Sequence, residues 1–136
     1  MPYEILNHTA DFGVRIYGET LEELFKSGFK ALVDAMVDFK GHADKKEMFY
    51  EDTAETLEDL LVDFLSEVVF RTVVEGKIFV DCEIKIEGNS VRGKLFYENF
   101  SPSIHRLRKE IKSVTYHDLS IRRTPSGFET MLICDV

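Results

Sequence analysis

Ile78-Phe79-Val80-Asp81-Cys82-Glu83-Ile84-Lys85-Ile86-Glu87, then Gly88-Asn89-Ser90, then Val91-Arg92-Gly93-Lys94-Leu95-Phe96-Tyr97, is the stretch that decides the fold. Ile78, Val80, Cys82, Ile84 and Ile86 recur at every second position, which puts them on one face of a strand. Gly88-Asn89-Ser90 supplies turn residues, so the two runs read as a β-hairpin. A second hairpin follows. Residues 113–122 form a strand, Pro125-Ser126-Gly127 a turn, and 128–136 the last strand. Between the hairpins, 99–109 reads as irregular and carries Pro102, His105, Arg106 and Arg108.

Upstream, the period changes. Leu57, Leu60, Leu61, Phe64, Leu65 and Val68 recur at helical spacing, while Glu55, Glu58, Asp59, Asp63 and Glu67 lie mostly on the other side. Acids in the first turn suit the positive end of that helix, and Gly76 suits its end. An earlier helix opens at Thr20, with Glu23 three residues on as a capping box. Leu21, Leu24, Phe25, Gly28, Leu32, Ala35 and Met36 form its apolar stripe, which should fade near Asp38. Short strands are expected at 3–6, 11–18 and 45–51. The order is strand, strand, helix, strand, helix, then four strands in two hairpins. That is an α+β fold, with two helices packed on a mainly antiparallel sheet in a single-domain two-layer sandwich spanning 1–136.

Composition narrows the function. The 136 residues hold 44% hydrophobic and 31% charged side chains, as a soluble globular domain does, and eleven Phe with no Trp point to a Phe-rich core. Net charge is −8. Non-specific nucleic-acid binding needs clustered cations, so the charge argues against it and suits a basic surface, a cation or a basic partner protein. Cys82 and Cys134 sit in apolar runs and read as buried free thiols, which places the chain in a reducing, cytoplasmic compartment. Residues 1–4 lack the pattern of a signal peptide, and no apolar run is long enough to span a bilayer, so no membrane role is expected.

Three segments hold candidate chemistry. His8-Thr9-Ala10-Asp11 lies between strands, where Asp11 is either a functional carboxylate or a cap for nearby amides. Asp135 ends the last strand, and Val136 adds a main-chain carboxylate if the chain stops there. With Asp11 nearby, these would make an all-oxygen cluster of the kind hard cations prefer. The alternative is a solvated terminus. In Lys112-Ser113-Val114-Thr115-Tyr116-His117, strand alternation puts Lys112, Val114 and Tyr116 on one face, with Ser113, Thr115 and His117 on the other. His117 is a possible ligand or acid–base group, but no Cys or His stands near it at zinc spacing. The His105-Arg106-Leu107-Arg108-Lys109 run is a small basic patch. No phosphate loop and no nucleophile elbow occurs.

Four of these segments resemble the archease family: His8-Thr9-Ala10-Asp11 with Gly13, Thr20-Leu21-Glu22-Glu23-Leu24-Phe25, Glu58-Asp59-Leu60-Leu61-Val62-Asp63-Phe64-Leu65, and 111–117 with Ile133-Cys134-Asp135-Val136. Ser113 departs from the family's usual small Ala, a change not expected to matter. The resemblance implies an accessory protein, not an enzyme, that activates an RtcB-type RNA ligase in tRNA splicing and RNA repair. It does so by promoting ligase guanylylation and multiple turnover. GTP and RNA are then met only indirectly, through the ligase. The resemblance also implies a divalent cation, Ca²⁺ foremost with Mg²⁺ or Mn²⁺ as alternatives. Its ligands would be Asp11, Asp135 and Val136, with Lys112, His8 and His117 as partner-facing residues. Two other readings are a stand-alone metal-dependent phosphoester hydrolase using Asp11, Asp135 and His117, and a general chaperone or scaffold acting through the acidic helix face.

Overall fold

The structure, a computed structural model, describes residues 2–6, 11–39 and 45–136. In chain order its elements are β1 (Tyr3–Leu6), β2 (Asp11–Gly18), α1 (Leu21–Met36), β3 (Val37–Phe39), β4 (Lys46–Thr53), α2 (Leu57–Glu75), β5 (Lys77–Glu87), β6 (Ser90–Asn99), β7 (His105–Leu107), β8 (Ser113–Thr115), β9 (Arg122–Thr124) and β10 (Gly127–Asp135). The strands form three antiparallel groups. β1, β2, β10 and β8 lie side by side in that order, and β9 also pairs with β10. β4, β6 and β5 make a second sheet, and β3 with β7 a third. Both helices touch the first two sheets. The α+β class stands, with its strands divided among three sheets.

Each helix starts where its cap demands. The Thr20 hydroxyl accepts from the Glu23 N–H at 3.1 Å, and the Glu23 carboxylate accepts from the Thr20 N–H at 3.2 Å. This satisfies two donors that a helix start leaves without partners. Thr56 does the same for the Asp59 N–H at 3.0 Å. α2 stops at Gly76, whose φ of 68° is left-handed and suits glycine.

Four departures from the sequence reading have physical causes. α1 ends at Met36, two residues before Asp38, because Val37 turns extended and pairs with Leu107 in the β3–β7 ladder. Part of the supposedly irregular 99–109 is therefore strand. The next two residues close the helix end. The Arg108 N–H donates to the Met36 carbonyl at 2.8 Å, and the Lys109 N–H to the Ala35 carbonyl at 3.0 Å. These are carbonyls that the last helical turn cannot pair internally. The expected 113–122 strand breaks after Thr115, at a turn where Asp118 takes a φ of 57°. Beyond it, side chains take the backbone donors: Ser120 N–H bonds the Thr130 hydroxyl, and Ile121 N–H bonds the Glu58 carboxylate. Finally, β5 carries a register shift between Phe79 and Asp81, so Ile78 and Phe79 are both buried and strict alternation fails.

The core is aromatic at its centre. The Phe64 ring of α2 lies 5.8 Å from Phe25 and 6.3 Å from Phe29 of α1, and 5.5 Å from Tyr50 of β4. Phe79 of β5 closes the group, 6.0 Å from Phe29. Phe64 is wholly buried and joins both helices to the second sheet. Phe64→Ala should cost about 3–5 kcal/mol, read as a fall in the urea midpoint at unchanged slope. A loss below about 1 kcal/mol would show that Phe64 is not the hub of the packing.

Candidate functional site

β10 is the strand that builds the site. It lies between β2 and β8, and its register sets Asp135 opposite Asp11 on one side and opposite Ser113 on the other. The three residues form one row across the end of the sheet. Directly paired residues project to the same face, so both carboxylates do so here. Like charges in that position repel. Part of the repulsion is offset locally, because the Ser113 hydroxyl donates to Asp135 Oδ2 at 3.1 Å.

The burial pattern explains why the acids stand where they do. Phe12, Val14, Leu132 and Cys134 point into the core, and Val114 joins them from β8. Asp11, Asp135 and Ser113 are out of step with these residues by one, so they face outward at the strand ends. Cys134, next to Asp135, is fully buried. Burial pushes its thiol up to about 12, and the Asp135 and Asp11 charges add to the effect.

Residues 108–112 run past this end as a strap. Its backbone is held at both ends, by Ala35 and Met36 at the start and by the Lys112 N–H, which donates to the Asp135 carbonyl at 2.8 Å. Ile111 is buried and pins the middle. Lys112 is thus fixed beside Asp135 by its main chain while its side chain stays exposed. Lys109 reaches over the Phe12 ring, its Nζ 5.8 Å from the centroid.

The structure brings together Asp11, Asp135 and Lys112 and adds Ser113, which the sequence reading had set aside. Oxygen groups of this kind suit a hard cation, whose remaining positions water or a partner's phosphate can fill. Among the described residues no three His, Cys, Asp or Glu side chains converge as a metal cage. Val136 follows Asp135 and is exposed. His8 lies outside the described residues. His117 is exposed and belongs to the turn after β8, its Nε2 3.5 Å from Asp118 Oδ2.

The fold is a small α+β domain that sets two acids in one row at a sheet end, with a basic strap beside them. The comparisons with known proteins give the family. The model of the Archease protein family (MTH1598/TM1083) matches residues 3–136. The chain is 41% identical over 129 residues to the protein archease of Pyrococcus furiosus, covering 92% of this chain and 91% of that protein. It is 34% identical over 140 residues to the protein archease of Methanopyrus kandleri, covering 100% of both. This chain belongs to the archease family. Among solved structures it is similar to an archease of Thermotoga maritima, described as a possible chaperone, with TM-score 0.69 and 27% identity over 96% of this chain and 94% of that one. Protein 1598 of Methanobacterium thermoautotrophicum shares the fold, with TM-score 0.73 and 23% identity over 99% of both chains. Among the described residues, no helix is long and apolar enough to cross a membrane.

The two buried thiols give the protein a pH signature. Cys82 and Cys134 are both raised to about 12, chiefly by burial, whereas an unfolded thiol titrates near about 8.5. Between those values the unfolded chain loses protons that the folded chain keeps, so stability is full below about pH 8.5 and falls as pH rises. The melting temperature should drop from pH 8.5 upward, and Cys134→Ala should flatten the drop relative to its own value at pH 7. An unchanged slope in that variant would remove Cys134 from the account.

Proposed function

We propose that this chain is an accessory protein that activates an RtcB-type RNA ligase, and that its working part is the Asp11–Asp135 end of the first sheet. The observation that carries the reading is the register of β10, which aligns the two carboxylates in one row. The proposed cation, Ca²⁺ first and Mg²⁺ or Mn²⁺ as alternatives, is held by Asp11 and Asp135. The main-chain carboxylate of Val136 completes the set where the chain ends there. When bound, such a cation neutralises phosphate charge. The chain's own contribution is to hold the two acids at a fixed spacing on a paired strand, and to hold Lys112 beside them through its backbone.

Lys112 complements the acids. Its exposed ammonium suits a carboxylate or phosphate of the partner, at a place fixed by the Asp135 carbonyl. The ligase must hold RNA and GTP phosphates, so its site is expected to be basic, and an acidic end fits it by charge. In the proposed action this end borders the ligase active site and favours transfer of the guanylyl group to the ligase nucleophile.

The hydrolase reading asks His117 to act with the two acids, but its imidazole pairs with Asp118 beyond the turn. The chaperone reading draws on the description of the Thermotoga maritima protein. It is separable by experiment, because suppression of aggregation would not depend on Asp11.

The test is GTP-dependent guanylylation and multiple-turnover ligation by a cognate RtcB-type ligase with and without this protein. Asp11→Ala and Asp135→Ala should each return the ligase to its unassisted rate with the melting temperature kept. Lys112→Ala should reduce stimulation while leaving Ca²⁺ affinity unchanged in calorimetry. Full stimulation by Asp11→Ala would sink the assignment.

A further inference from the structure

β4 is the outer strand of the β4-β6-β5 sheet. An antiparallel edge strand directs every second N–H and C=O away from its neighbour. Proteins usually blunt such edges by keeping them short, bulged, covered or charged, or by placing proline in them. Other outer strands here follow that rule. β1 has four residues and β8 three, and β5 carries the register shift. β4 is charged but neither short nor bulged. It runs eight residues in unbroken register with β6, contains no proline, and none of its eight residues is buried.

Beside this edge lies a groove of about 620 Å³ between β4 and the flank of α2. Met48, Tyr50 and Asp52 line it from the strand, and Asp63, Glu67 and Phe70 from the helix. Two large rings stand open to water here, Phe49 at 64% and Phe70 at 50% exposure. Arg71 also lines the groove and pairs with Glu67 at 2.8 Å, so the acidic character of the lining rests on Asp52 and Asp63. Asp52 Oδ2 is buried with no hydrogen-bond partner among the described residues. Asp63 is held above its ordinary value first by burial and then by the neighbouring Asp52 and Asp59 carboxylates. Neighbouring carboxylates repel when both are ionised, so a cation arriving from outside would relieve the pair.

We propose that the edge of β4 and the groove along α2 form a docking site for an extended basic segment of a partner protein, which adds to the sheet as a fourth strand. The backbone edge supplies the affinity common to strand addition, and alternate side-chain sites supply the choice of sequence. Residues of the added strand on the α2 side meet Asp52 and Asp63, so they are Lys or Arg. Residues on the other side run beside Phe49 and are apolar. A second copy of this chain is a poor occupant, because Glu47, Glu51 and Asp52 would be brought against their own charges. The proposal does not depend on the ligase reading, since it concerns the second sheet and not the Asp11–Asp135 end.

The experiment uses the full chain, isotope-labelled, titrated with the peptide acetyl-Lys-Val-Lys-Val-Lys-Val-Lys-Thr-amide. Amide shifts should concentrate on β4 and the groove side of α2, and β4 amides should gain protection from hydrogen exchange. Of two peptides methylated on alternate backbone nitrogens, only one set should lose binding, because one edge of a strand uses every second N–H. The Glu-for-Lys peptide should not bind, and Asp63→Lys should weaken binding roughly tenfold or more. No shift in β4, equal binding of both methylated peptides, or equal binding of the Glu peptide would each overturn the proposal. A dimer of the free protein paired through β4 would overturn the choice of occupant.

Discussion

Antiparallel pairing of β10 with β2 on one side and β8 on the other is the constraint on which the site depends. Leu132 and Cys134 of β10 are buried, as are Phe12 and Val14 of β2 and Val114 of β8. A slip of one residue would take every one of these out of the core cluster and turn Asp135 toward it. The apolar side of the sheet therefore fixes the register, and the register fixes the acids. Asp11 and Asp135 are opposed because the core requires it, even though their charges alone would disfavour the arrangement.

The same economy shows in the strap. Arg108 and Lys109 satisfy the last carbonyls of α1 with their backbone N–H groups, and Lys112 repeats the device on β10. Three hydrogen bonds and the buried Ile111 hold five residues across two elements. Cationic side chains are thereby set near the negative end of the α1 dipole and next to the paired acids. Lys112 is held beside Asp135 by its backbone while its side chain stays exposed.

Much of this was legible in the sequence because it rests on local rules. The helix cap at Thr20 follows from side-chain reach, and both helices from the apolar period. The turns at 88–90 and 125–127 follow from residue type. Asp11 and Asp135 stood out as acids at the ends of apolar strands. What was not legible depends on contacts distant in sequence. The β3–β7 pairing joins residues about seventy positions apart and shortens α1. The break after Thr115 needs Glu58 and Thr130 as acceptors or partners supplied by other elements. Ser113 was discounted as a minor substitution, yet its hydroxyl reaches Asp135 because β8 and β10 are neighbours. His117 read as a possible ligand or acid–base group within one long strand, and the structure puts it in the turn after β8 with its Nε2 3.5 Å from Asp118 Oδ2.

The most direct measurement is a crystal of this protein soaked in Mn²⁺, with anomalous scattering recorded from the ion. The account predicts one principal anomalous peak bridging the Asp11 and Asp135 carboxylates, lost in crystals of Asp135→Asn. A principal peak elsewhere on the chain, or a peak at this end that persists in Asp135→Asn, would contradict it.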